Sequence, residues 1–387
     1  MSERYHTIVL GLGAMGSATA HHLARRGRRV LALERFTPAH DRGSSHGQSR
    51  IIRLAYAEDP AYVPLLRRAY ELWHELDAGA GEPVLTLTGG LMIGAGESRL
   101  VAGAARSARE HGLAHELLDA AAIRRRFPQF AVPDGTVGLY EDAGGVVHPE
   151  AAIRAHLRGA AAAGAALRFE EPALGWEAAP SGDRVRVTTP GGSYEAERLV
   201  IAAGAYAPEL LAGAGLPLSV QRNVLYWFRA TGRRELFSPG RCPIFIWELP
   251  GGRSAYGFPE LPGSPGGVKV AFHGHGPLVT PETIDREVRP DEVAAMRAFL
   301  AGCVPDVAGG ELLATATCMY TLTPDEHFVL DAHPRHPQVL ICSPCSGHGF
   351  KFASVVGEVM ADLAEAGATR HPIGPFRAAR LLGGTAR

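Results

Sequence analysis

Lysine is nearly missing from this chain: 37 of its 39 basic residues are arginine, and only Lys269 and Lys351 are lysine. Cysteine is scarce too. The five present, Cys242, Cys303, Cys318, Cys342 and Cys345, are odd in number and scattered, which excludes a disulfide framework. Neither sign of charge dominates, since the formal net charge is -1, and a duplex nucleic-acid binder with its basic footprint is excluded on that ground. No apolar run approaches the length of a membrane span, and the start Met1-Ser2-Glu3-Arg4 lacks a secretory pattern. These absences predict a soluble, cytoplasmic protein, and 387 residues leave room for two domains with sizeable cores.

The lysine deficit sharpens attention on the two that remain. A solvated cation exchanges freely between lysine and arginine, whereas a compact ammonium whose pKa moves on burial does not. Lys269 and Lys351 are therefore candidates for chemistry.

What is present begins with Thr7-Ile8-Val9-Leu10-Gly11-Leu12-Gly13-Ala14-Met15-Gly16, which reads as a buried parallel strand, a glycine turn and a helix start. Gly11 permits the tight turn, Gly13 lets backbone approach a pyrophosphate, and Gly16 lets helix and strand pack closely. The next apolar strand, Val30 to Leu33, closes on Glu34, where an acid can take ribose hydroxyls. A dinucleotide belongs at this turn.

The loop Phe36 to Gln48, with Ser45 among its candidate cofactor contacts, suits a crossing over that ligand. Beyond it Arg50 and Arg53 lie three apart, on one side of an expected helical turn, as forks for a carboxylate or phosphate. Asp59-Pro60 caps a helix running to about Asp77. Residues 84–145 carry no glycine fingerprint and read as a second domain interrupting the first. From Pro149 the helix-strand alternation resumes, followed by a meander and the strand Arg198 to Ala203, which enters a turn at Gly204. Residues 217–320 are mostly strands, an antiparallel platform forming one wall of a site. The strand Gln338 to Cys342 then leads through Ser346-Gly347-His348-Gly349-Phe350-Lys351 into a helix, a junction that offers backbone donors and an ammonium to an anion. The fold expected is α/β, a discontinuous Rossmann-type cofactor domain (1–83, 146–216, 321–387) with a substrate domain containing an antiparallel sheet (84–145, 217–320). Cys342, Cys345 and His348 make a C-x-x-C-x-x-H spacing, but no second ligand pair accompanies it, and no metal is expected.

Several stretches together resemble the monomeric sarcosine oxidase and N-methyltryptophan oxidase family of FAD-dependent amine oxidases. They are the N-terminal glycine run, His46 to Arg53, Tyr256-Gly257-Phe258-Pro259, Lys269 with His273, Cys318-Met319-Tyr320-Thr321 with Asp325 to Phe328, and Ser346 to Lys351. They fall in order over nearly the whole length. Cys342, Pro344 and Cys345 depart from the small residues expected beside the flavin.

The resemblance implies FAD joined through its 8α-methyl carbon to the sulfur of Cys318, with Gly204, Gly347, His348, Gly349 and Lys351 among the cofactor contacts. It implies that Arg53 and Lys351 clamp a substrate carboxylate. Lys269 takes the role of the fixed charge that stabilises developing superoxide. Arg50 lies on the other flavin face, favouring an anionic reduced flavin, while His273, Tyr256 and Tyr320 line the pocket. Ile246 stands where sarcosine-specific members carry methionine. The activity implied is oxidation of an N-methyl or cyclic secondary amino acid to an imine, with O₂ reduced to hydrogen peroxide, by a monomer. Alternatives are a dehydrogenase of the same fold that uses another electron acceptor, an NAD-dependent dehydrogenase, or a flavin-binding module without catalysis.

Overall fold

A computed structural model describes residues 4–263, 265–344 and 346–382. Cys345, the middle member of the C-x-x-C-x-x-H spacing, lies outside them.

The first strand, β1 (Arg4–Leu10), is buried along Thr7–Leu10 and lies parallel to β2 (Val30–Leu33) on one side and to the strand Gly192–Ile201 on the other. Parallel neighbours demand a covered sheet, and the near-continuous apolar runs of these strands supply both faces. Helix α1 (Ala14–Arg25) makes the crossover between β1 and β2 and packs against the helices Pro149–Ala162 and Ala353–Ala366. The strand Ala166–Arg168 extends the sheet beyond β2. The far edge of Gly192–Ile201 is shared: its first half pairs antiparallel with Val185–Thr189, and its end pairs parallel with His336–Ser343. The ends of β1, Gly192–Ile201 and His336–Ser343 thus meet at one edge. In a sheet of this type ligands bind there, outside the carboxyl ends of the strands.

A second sheet of nine strands stands apart from the first. At its centre Ser219–Phe228 pairs antiparallel with both Val268–His273 and Leu312–Leu322. The expected antiparallel platform is present with one exception, a parallel pairing of Ile244–Glu248 with Gly90–Ala95. Strand alternation divides its two faces. Val224, Tyr226, Phe228, Val268 and Val270 point into a core with Met296 and Leu300 of the helix Pro290–Cys303. Leu225, Trp227, Ala271 and Cys318 point the other way, with Tyr256 and Tyr320 packed on them. The period of two therefore delivers Lys269, His273, Cys318 and Tyr320 toward one side.

One local expectation fails. Arg50 and Arg53 are not on a helical turn: Arg50–Ile52 is strand β3, paired antiparallel with Gly145–Val147. Two adjacent β-branched isoleucines favour an extended, half-buried ribbon, and a spacing of three between arginines carries little weight against them. The consequence is spatial. Residues an odd number apart on an extended chain face opposite ways, so the two guanidinium groups serve different surroundings. After β3 comes an irregular stretch to Asp59, whose carboxylate accepts from the Ala61 amide at 2.8 Å and caps the short turn Pro60–Tyr62. Helix α2 (Val63–Ala80) follows.

Candidate active site

A long cleft runs along the carboxyl edge of the parallel sheet, and Gly11, Gly13, Glu34, Ser45, Arg50, Gly204, Tyr320, Gly347 and Gly349 all line it. Gly11 sits at φ +86°, and a Cβ there would come within 2.7 Å of the Ala202 carbonyl oxygen. Only glycine makes that turn without strain. Gly16 lies behind the cleft, where a side chain would run into the Gly11 carbonyl. The Glu34 carboxylate accepts from the amides of Leu12 at 2.7 Å and Phe36 at 3.0 Å, which holds it at the mouth of the glycine turn. Ser45 accepts from the Ala14 amide at 3.3 Å. No acid stands in the first turn of α1, so its N-terminal donors face the cleft without a competing charge. Donors for a pyrophosphate and an acid for ribose hydroxyls are the groups that FAD requires, and the residues present fit it.

Beyond the glycine turn the cleft reaches Arg50, which shares the Ser49 carbonyl with Lys269 as a first pair of cations. Lys269 is 2 % exposed. Its Nζ donates to Gly47 O at 2.6 Å, Ser49 O at 2.9 Å and Ser49 Oγ at 3.1 Å. The two carbonyls can only accept, and a third hydrogen toward the Ser49 hydroxyl completes the set that an ammonium offers. Burial first, and Arg50 second, pull its pKa well below the usual lysine range. The acceptor triad works against that pull. Arg50 donates to the same Ser49 carbonyl at 2.8 Å and to Ser44 O at 2.8 Å, and its Nη2 lies 3.7 Å from the Cys318 sulfur. Cys318 is buried beside the cleft, with Met319 and Tyr320 lining it.

A second pair of cations lies on the other side of β3. Arg53 is 3 % exposed. Its Nη2 donates to both Glu58 oxygens at 2.9 and 2.8 Å, and its Nη1 to Ala55 O at 2.8 Å. Burial pushes the Glu58 carboxyl up, but Arg53, with His348 and Lys351, brings it down to about 2. Lys351 is also buried and donates to His348 O at 2.7 Å. Burial, then Arg53, pulls it down to about 7. Both cations lie over the Tyr56 ring, with Arg53 Cζ 4.5 Å and Lys351 Nζ 5.2 Å from its centroid.

His348 is fully engaged. Its Nε2 lies 2.9 Å from the Glu326 carbonyl, which can only accept, so Nε2 carries the proton and Nδ1 accepts from Tyr56 Oη at 2.6 Å. The ring stabilises the turn and has no donor to spare. His273, brought down to about 4 by burial, is a neutral imidazole whose ring lies 5.3 Å from that of Tyr320. The Tyr256 and Tyr320 hydroxyls are 3.5 Å apart. Gly347, at φ +79°, packs so tightly on this wall that a Cβ would come within 2.5 Å of the Tyr320 ring and 2.7 Å of His273. Ile246 pairs across the sheet with Tyr256 and packs against the cluster of Ala55, Met92 and Leu139.

Of the expected residues, Gly11, Gly13, Glu34, Ser45, Arg50, Gly204, Tyr320, Gly347 and Gly349 line the cleft, Arg50 pairs with Lys269 and Arg53 with Lys351, whereas Gly16, Tyr256, His273, Cys318 and His348 are not among the lining residues. Sequence reasoning gave no role to Tyr56 and Glu58, which have no motif of their own, or to Ser49, which lies within the His46–Arg53 stretch. Among the described residues no three His, Cys, Asp or Glu side chains converge as a metal site.

Known proteins resemble this chain over nearly its whole length. The FAD dependent oxidoreductase (DAO) family model matches residues 6–363. A monomeric sarcosine oxidase of Streptomyces avermitilis is 52% identical over 382 residues, covering 98% of this chain and 99% of the relative. An N-methyl-L-tryptophan oxidase of Salmonella agona is 37% identical over 384 residues, covering 98% and 99%. Among solved structures, NikD, described as an unusual amino acid oxidase essential for nikkomycin biosynthesis, aligns with a TM-score of 0.82 at 27% identity, covering 97% of this chain and 98% of that one. An L-proline dehydrogenase from P. horikoshii shares the fold, with a TM-score of 0.83 at 22% identity over 98% of both chains.

Proposed function

This chain belongs to the FAD-dependent oxidoreductase family, and from that premise we propose that it oxidises a carboxylate-bearing secondary amino acid, N-methyl or cyclic, to an imine with O₂ as electron acceptor. When bound, FAD supplies the two-electron acceptor for the C–H bond beside the amine nitrogen and returns those electrons to O₂, giving hydrogen peroxide. The observation that carries the reading is the meeting of Arg53 and Lys351, two buried cations, beside a cleft whose far end is a glycine turn.

In this reading Arg53 and Lys351 bind the substrate carboxylate and so fix which C–H bond faces the cleft. Tyr256, Tyr320 and His273 wall the pocket and exclude water, and burial keeps the imidazole of His273 neutral. Lys269, held by three oxygens, keeps a preorganised positive charge where O₂ becomes charged. Cys318, with its sulfur between Ser44 O and Arg50, is the covalent attachment point for the flavin. Ile246, paired with Tyr256 where sarcosine-specific members carry methionine, weakens the case for sarcosine itself as the substrate. The interrupted segments 1–83, 146–216 and 321–387 form the cofactor domain, and the protein acts as a cytoplasmic monomer.

The test is anaerobic bleaching of the purified yellow protein by a panel of secondary amino acids and their carboxamides. Bleaching by acids alone, followed by rapid recolouring in air with peroxide released, is expected. Turnover only with a dye would instead make it a dehydrogenase, and an unbleached or colourless protein would end the proposal.

A further inference from the structure

We propose that Glu58 is a resident carboxylate that occupies Arg53 until the substrate's own carboxylate displaces it, so that it sets how tightly the site takes acids. This rests on the reading of Arg53 and Lys351 as the carboxylate clamp.

The hydrogen bonds of Arg53 are unevenly used. A carboxylate normally spans two nitrogens of the guanidinium fork. Both Glu58 oxygens instead gather on Nη2, and among the described residues Nε is buried with no partner. A buried donor left in this state needs an explanation, because its desolvation is uncompensated. An incoming carboxylate bridging Nε and Nη2 would satisfy it and would compete with Glu58 for Nη2.

Glu58 is placed to yield. Its side chain is 32 % exposed where that of Arg53 is 3 %. It sits in the irregular stretch between β3 and the turn Pro60–Tyr62, so leaving the guanidinium puts it in water without breaking a strand or helix. Glu141, the other acid beside Arg53, is built differently. It is buried and accepts from the amides of Leu54 and Ala55 at 3.0 to 3.2 Å, which anchors it as part of the scaffold. Two acids therefore flank one guanidinium, one fixed and one free to leave. A site carrying its own acid binds other acids more weakly than its two cations would allow, and it discriminates against ligands too feebly charged to compete.

The holoenzyme of Glu58→Gln tests this, with acetate as the probe and the change in flavin absorption as the readout. Acetate should bind roughly tenfold more tightly than to the unsubstituted protein, the scale of one charge-assisted hydrogen bond, while binding of acetamide should not change. Unchanged or weaker acetate binding, or an equal gain for acetamide, would overturn the proposal. Glu58→Ala removes the same charge, carries the same expectation, and is read the same way should the glutamine variant not fold. Arg53→Met separates the two levels. If it leaves acetate binding intact, the clamp reading itself is wrong; if it weakens acetate binding while Glu58→Gln fails to tighten it, only the role of Glu58 is wrong.

Discussion

Tyr56 donates its hydroxyl proton to Nδ1 of His348 across 2.6 Å, and through that bond the two inner cations share one frame. The same ring lies under Arg53 and Lys351, and the His348 carbonyl holds the Lys351 ammonium. Tyr56→Phe keeps the ring and leaves the imidazole nitrogen buried without a donor, a loss of about 1–3 kcal/mol. The KM for a carboxylated amine should rise by roughly tenfold while the limiting rate of anaerobic flavin reduction changes little. Stopped-flow reduction beside steady-state kinetics reads the split. An equal fall in both constants would mean that Tyr56 does more than position Lys351.

Lys351 makes acid binding depend on pH. Its pKa of about 7 in the free protein comes from burial and from Arg53, and a carboxylate placed against it opposes both. Binding should therefore draw a proton onto Lys351. The Kd for acetate is expected to be flat below pH 7 and to rise by up to about tenfold per unit above it. Lys351→Met should bind acetate weakly and flatten the profile, which titration at several pH values will show.

Cys318→Ser should give protein whose flavin is released by acid precipitation. Flavin that stays with the precipitate would place the attachment elsewhere.

Lys269→Met should slow reoxidation of the reduced protein by O₂ about a hundredfold, the usual scale for removing a preorganised charge from a reacting oxygen. Anaerobic reduction should be affected far less. Rapid mixing with oxygenated buffer measures the first and anaerobic mixing with substrate the second; equal effects would remove the assigned role.

Stability should fall on mild acidification, for reasons remote from the cleft. His21 on α1 faces His156 on the helix Pro149–Ala162, with ring centroids 5.4 Å apart, and the Nε2 of neighbouring His22 lies 3.1 Å from the Ser354 carbonyl. Burial pulls His21 and His22 from 6.5 to about 4, and it pulls His156 well below 6.5 as well. Because the folded pKa values lie below the unfolded ones, the unfolded chain takes up protons first. Stability is full above about pH 6.5 and drains away toward pH 4. Thermal melts across that range should show the decline, and His21→Gln should make it shallower.

Much of the fold was legible because periodicity alone specifies it. The run Thr7 to Gly16, the cap at Asp59-Pro60 and the alternation around Lys269 each follow from local chemistry. Arg50 and Arg53 were misplaced because a spacing of three looks helical until the isoleucines between them are weighed. The contact of Arg53 with Glu58 crosses an irregular stretch with no repeat to betray it, and the bonds from Gly47 and Gln48 to Glu150 join residues about a hundred positions apart. Cys318 illustrates a third limit. On its own strand it looks like any buried thiol, and only resemblance to a family distinguished it.

The ribbon β3 turns one arginine toward the sulfur and the outer ammonium and leaves the other with the inner pair. On the proposed roles, selection for a new amine can therefore work on the Arg53 side while oxygen handling on the Arg50 side stays as it is. The reverse also follows. Inserting or deleting one residue between these arginines would turn one of them to the wrong compartment, so this short segment should tolerate changes of residue type far better than changes of length.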